Sequence, residues 1–291
     1  MPDRPLTTRH DVQGSHRIFS ASWSSMPRNE YFAALCILGV ANGIASRAIQ
    51  SIAEHGWINA VFFMFDISVI VWIACLLGIA LIFEGQNDRT TTLDLSVGAA
   101  CILLFTVPVG GASWLALTAL GFYILLVAGG ASSRKRGAMI LLAATIPMLW
   151  SRLLFRSFSD IILQIDTTLV AAMLGTEQSG NVVRFADGSG DLVILPACSS
   201  LANLSLIFPC WVAMSQATKH PWSSKDLVWC FLAGASVVAI NVTRMSLMGL
   251  NETYYSMIHG PVGDISTSIL LVCFIVGFCM LGVRRELFSR I

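Results

Sequence analysis

Charge is scarce in this 291-residue chain: 18 Lys and Arg plus 17 Asp and Glu make up 12% of it, about half the roughly 25% of a soluble domain. With 55% apolar residues and a mean hydropathy of +0.73, that scarcity excludes an ordinary soluble enzyme. There is no long basic run, so no nucleic-acid partner is expected. The eight cysteines form no Cys-x-x-Cys and no paired-histidine spacing accompanies them, so neither a metal site nor a cofactor is expected. No internal repeat, low-complexity tract or Gly-x-Ser-Gly motif occurs, which leaves a rhomboid-like serine protease without its nucleophile motif.

What is present is a series of apolar runs. They fall at about 31–50, 57–83, 94–109, 112–130, 137–155, 198–217, 227–249 and 264–283, each read as a helix across a hydrocarbon core of roughly 30 Å, with the third and sixth at the short end. The first 30 residues are polar and carry Arg4, Arg9, Arg17 and Arg28, with no small-residue cleavage site after the first run. They read as a retained cytoplasmic tail. With that tail inside, 13 of the 18 basic residues fall on the cytoplasmic face, as the positive-inside rule requires. Arg47, Arg152, Arg156, Arg184 and Arg244 are the exceptions.

The expected fold is an all-α polytopic membrane protein of about eight transmembrane helices with a small external β-hairpin before the sixth. Its parts are a cytoplasmic tail (1–30), five transmembrane helices (31–155), an external interfacial helix and hairpin (156–197), three helices carrying the candidate site (198–283) and a cytoplasmic C-terminal tail (284–291). The hairpin is read from Asn181-Val-Val-Arg-Phe and Asp191-Leu-Val-Ile-Leu, two β-type runs flanking Asp/Gly turn residues. The expected location is the inner (cytoplasmic) membrane, both termini inside.

Three residues stand out for chemistry. Cys198, unlike the other seven cysteines, follows the hairpin at the outer start of the sixth span, where helix N–H groups favour a thiolate. Ser199 and Ser200 beside it serve equally well as capping hydroxyls. Arg244 lies inside an apolar span, where an ionisable group is costly enough to imply a role unless it snorkels to the interface. Asn241 precedes it by three residues on the same helix face. His259 lies in the short connection before the last span. The charge-derived topology puts all three on the periplasmic or extracellular side, and a nucleophile, a base and an oxyanion donor are the groups acyl transfer needs.

At these residues the sequence resembles the exosortase/archaeosortase family, polytopic membrane cysteine transpeptidases. The resemblance rests on Pro196-Ala197-Cys198-Ser199, Asn241-Val-Thr-Arg244 and His259, and extends to Gly180-Asn-Val-Val-Arg-Phe with Asp187-Gly188. It covers about 156–283. Ser200 stands where the family has glycine, which alters backbone approach but removes no proposed catalytic atom. The resemblance implies Cys198 as nucleophile, His259 as general acid/base and Arg244 as oxyanion or carboxylate binder, with Asn241 and Ser199 in support. It implies as partners secreted proteins ending in a motif, a transmembrane helix and a basic cluster, besides membrane lipid and an acceptor of lipid or polysaccharide type.

The alternative from another class is a transporter or a scaffold for envelope polysaccharide export. Its main support is Asp66, read as intramembrane and either gating an ion path or pairing with a basic residue such as Arg47. Arg152, Arg156 and Asp160 form a stripe at four-residue spacing, read chiefly as an interfacial anchor.

Overall fold

In the computed structural model, residues 26–85, 88–130 and 132–288 are described. The expected N-terminal tail lies almost wholly outside them, as does the end of the C-terminal one. The helices are α1 (Arg28–Phe62), α2 (Val69–Phe83), α3 (Thr92–Phe105), α4 (Gly110–Val127), α5 (Ser133–Thr145), α6 (Ser151–Leu174), α7 (Ser200–Leu204), α8 (Ile207–Thr218), α9 (Ser224–Met248), α10 (Glu252–Ile258) and α11 (Pro261–Phe288). Five helical stretches are long and apolar enough to cross a membrane, and α2 and α3 are shorter apolar helices. Large side chains such as Ile58, Leu126 and Phe231 point outward from them. An apolar exterior on helices that satisfy their own backbone is the arrangement a bilayer demands. The architecture is all-α in character and consistent with a membrane protein.

Local chemistry sets the helix starts. Thr91 with Asp94, and Ser223 with Asp226, form reciprocal capping boxes that open α3 and α9. Ser68 and Ser132 cap α2 and α5. Asp94 does more than cap: fully buried, it accepts from Arg28 Nη2 and Tyr123 Oη, both at 2.7 Å, tying the starts of α1 and α3 to the end of α4. Arg134–Asp88, Arg136 donating to the Gln216 carbonyl, and His220 beside Asp226 lie at the same end of the bundle. In the packing of α2 on α5, a Cβ at Gly137 would stand 2.5 Å from the Gly78 carbonyl oxygen, so only glycine permits that approach.

The run expected at 198–217 as one span is split between the turn Pro196–Cys198, α7 and α8, none of them among the five membrane-length stretches, and the element boundaries differ from the sequence reading in three further places. The runs expected at 31–50 and 57–83 are divided later: α1 continues to Phe62 through a kink at Gly56 (φ 76°), and the chain turns at Met64–Asp66, all three with positive φ. Asp66 is therefore in a turn, 42% exposed and 3.8 Å from His55, and not paired with Arg47 inside a span. The segment expected to start an interfacial helix at 156 continues the preceding helix. A π turn at Ile146–Trp150 joins α5 to α6 in one 42-residue stretch. Pro147 removes an i→i−4 hydrogen bond there and widens the helix without ending it. Third, the strands form a three-stranded antiparallel sheet in which β1 (Gln178–Ser179) joins β2 (Val182–Arg184) and β3 (Asp191–Val193). Val183, Leu192 and Ile194 pack from it onto α6 and α9 through Leu163, Val170 and Met245.

Candidate functional site

Cys198 closes a 3₁₀ turn (Pro196–Cys198) that follows β3, its N–H donating to the Leu195 carbonyl. Half-buried, it packs against the apolar cluster beneath the sheet. Two side chains from distant helices fix the backbone around it. From α9, Asn241 Nδ2 donates to the Cys198 carbonyl at 2.8 Å and to Ser200 Oγ at 3.0 Å. From α6, Asp166 Oδ2 accepts from the Ser200 N–H at 3.0 Å. Asn241, Asp166, Ser199 and Ser200 are all buried, the first at 1% exposure. An apolar replacement for Asn241 would leave the partly buried Cys198 carbonyl without this donor, a cost of up to about 3 kcal/mol.

This geometry corrects one expectation about the cysteine. The helix after it, α7, has five residues, and its leading donors are already used: Ser200 N–H by Asp166 and Leu201 N–H by the capping Ser199 Oγ at 3.3 Å. Those N–H groups do not face the thiol as free donors. Ser199 is a cap, the plainer of its two readings. Asp166, absent from the sequence reading, is the acidic member of the arrangement. Its signal was present, since it interrupts the apolar run Ile161–Val170 and a buried acid in such a run calls for a partner.

Arg244 lies one turn beyond Asn241 on α9 and is paired with Asp264, in the first turn of α11. Its side chain is 15% exposed, and its Nε is buried without a hydrogen bond. Arg244 lines an open, mostly apolar cavity of about 540 Å³ between α9 and α11, with Thr243, Leu247, Ile258, Gly263 and Thr267. Asp264, like Asp166, was not singled out from the sequence.

His259 is exposed at the C-terminal end of α10 and stacks on Tyr255, ring centroids 5.1 Å apart and planes within 14°. Tyr255 in turn meets Phe185 of the sheet region at 6.5 Å, and Tyr255 and Cys198 pack on the same apolar cluster. The structure thus joins Cys198, Ser200 and Asn241 directly, leaves Ser199 between them as the cap of α7, and sets Arg244 one turn beyond Asn241 along α9. His259 borders the cluster from outside. Among the described residues no hydrogen bond links Cys198 Sγ to Arg244 or to His259. Nor do three His, Cys, Asp or Glu side chains converge anywhere among them as a metal site would require. No protein-family model, no curated protein and no solved structure matches the chain.

Proposed function

We propose that this chain is a membrane-embedded cysteine peptidase or transpeptidase of exosortase-like type, cleaving C-terminal sorting signals of secreted proteins at the outer face of the inner membrane. The observation that carries this reading is the clamp on Cys198. Of eight cysteines, the one carrying the motif is held by buried Asn241, the asparagine of Asn241-Val-Thr-Arg244, which binds the Cys198 carbonyl itself. Two motif elements separated by 43 residues meet in one hydrogen bond. Neither the packing role of an ordinary membrane cysteine nor a helix–helix contact requires that pairing.

In this reading the Cys198 thiol yields its proton to His259, and Sγ attacks the scissile carbonyl carbon. The S–C bond forms as the C–N bond breaks, with His259 returning the proton to the leaving amine. Arg244 stabilises the developing oxyanion or a substrate carboxylate, which requires it to exchange Asp264 for substrate. His259 correspondingly turns from Tyr255 toward Sγ. The thioester is resolved by an acceptor of lipid or polysaccharide type, or by water, regenerating the thiol. The reading takes from hydropathy and the positive-inside rule eight membrane crossings with both termini inside, and with them a site on the periplasmic or extracellular side. The transporter or scaffold reading loses its main support, since Asp66 is a half-exposed turn residue beside His55.

The test is trapping. Under slow-deacylating conditions the wild-type chain is expected to yield a hydroxylamine-sensitive thioester between Cys198 and a fragment of a secreted protein, absent in Cys198→Ala. Full function of folded Cys198→Ala in a cell that depends on the protein would refute the assignment and restore the transport or scaffold account.

A further inference from the structure

A second polar site lies apart from Cys198 and owes nothing to the transpeptidase reading. Arg47 of α1 and Arg152 of α6 line one cavity of about 260 Å³, together with Ser46, Gln50, Gly110 and Trp114. Arg47 is half-buried, and Arg152 is exposed at the cavity's edge. Among the described residues neither guanidinium has a carboxylate within ion-pair distance. The nearby acids on the surrounding elements have other partners: Asp66 is beside His55, Asp160 accepts from Ser159, Asp166 accepts from the Ser200 N–H, and Glu54 accepts from the cavity-lining Gln50 Nε2 at 2.8 Å. Helix α4 contributes no acid at all. Two cations lining one cavity repel each other, and an anion between them replaces that repulsion by two attractions.

The cavity's depth narrows the ligand. Arg47 stands 19 residues beyond Arg28 on α1, and Arg152 stands 18 beyond Arg134 on the α5–α6 stretch; at 1.5 Å per residue, each lies about 27–29 Å from the ion-pair cluster at the other end. That is about the thickness of a hydrocarbon core. Both guanidiniums therefore sit at headgroup level of the opposite leaflet, and guanidinium groups bind phosphate oxygens through paired N–H donors. The cavity also needs close packing: a Cβ at Gly110 would lie 2.5 Å from Ser46 Oγ. We propose that Arg47 and Arg152, with Ser46, bind a phosphate group, supplied by an anionic lipid headgroup or as free phosphate. The depth of the pair favours the lipid.

The test uses the full chain in a non-ionic detergent and modification of its arginines by phenylglyoxal, read peptide by peptide. Arg184, exposed on β2, is the internal control. Added dioleoylphosphatidylglycerol is expected to slow modification of Arg47 and Arg152 by about tenfold, the scale of one charge-assisted hydrogen bond, leaving Arg184 unchanged. Dioleoylglycerol, which has the same tails without phosphate, is expected to protect neither. Equal protection by inorganic phosphate alone would identify free phosphate as the source. Absence of protection by both probes, or equal protection of Arg184, would overturn the site. As a second measurement, Arg47→Gln/Arg152→Gln is expected to lose the thermal stabilisation that phosphatidylglycerol gives the wild type; unchanged stabilisation in the folded variant would also overturn it. If that variant does not fold, the wild-type protection pattern decides.

Discussion

Asn241→Ala is the substitution that most directly probes the clamp on Cys198. It removes two hydrogen bonds, to the Cys198 carbonyl at 2.8 Å and to Ser200 Oγ at 3.0 Å, from a side chain only 1% exposed. Each bond contributes about 0.5–1.5 kcal/mol net, while the partly buried Cys198 carbonyl left without a donor costs up to about 3 kcal/mol. The unsatisfied carbonyl is the larger effect and acts locally, on the turn Pro196–Cys198. Opening of that turn should become easier by about 1–3 kcal/mol, a factor of about 5–150 in its population. The assay is the rate of maleimide alkylation at Cys198, with exposed Cys273 as reference in the same molecule. A rise at Cys198 within that range, no change at Cys273, and no change at either in Thr243→Ala are expected. An unchanged Cys198 rate in Asn241→Ala would mean that the clamp does not hold the cysteine, and the main support for the functional assignment would go with it.

Asp94→Asn should be the most damaging single change at the bundle's other end, costing about 3–5 kcal/mol in thermal or denaturant unfolding, because it leaves Arg28 without its buried partner. Asp66→Asn should move stability by less than about 1 kcal/mol, since Asp66 and His55 are each 42% exposed; a large loss of folded protein would restore Asp66 as an intramembrane charge. Asp166→Ala should lower the unfolding free energy by about 0.5–2 kcal/mol, the worth of a lost N-terminal cap, with Asp166→Asn retaining most of it through its amide oxygen. Arg244→Lys should leave a folded protein with little processing activity, because an ammonium keeps the charge but not the planar fork; near-wild-type processing would remove Arg244 from the chemistry.

Legibility in the sequence followed the range of the interaction concerned. The runs at 112–130, 227–249 and 264–283 coincide closely with α4, α9 and part of α11, because hydropathy is a sum over neighbouring residues. The turn at Met64–Asp66 was missed for the same reason. Its residues Met-Phe-Asp are mostly apolar, and only their left-handed backbone marks the break. Pro147 lies inside the run at 137–155, where local chemistry predicts a break, but the helix absorbs it as a π turn since α2 and α4 hold α5 on both sides.

The candidate site divides in the same way. By itself the sequence determined a helical, apolar chain, the distinctness of Cys198 among eight cysteines, and the pairing of Asn241 with Arg244 on one helix face, all of which follow from composition and local spacing. Only the tertiary structure decided that Asn241 reaches back to the Cys198 carbonyl, that Asp166 takes the Ser200 N–H, that Asp264 holds Arg244, and that Arg47 and Arg152 share a cavity. Those partners lie 20 to 43 residues apart for the hydrogen bonds, and further for the arginines. The rotation and depth of each helix select them from many equally polar candidates, and these are set by packing against every other helix at once, which no local pattern encodes.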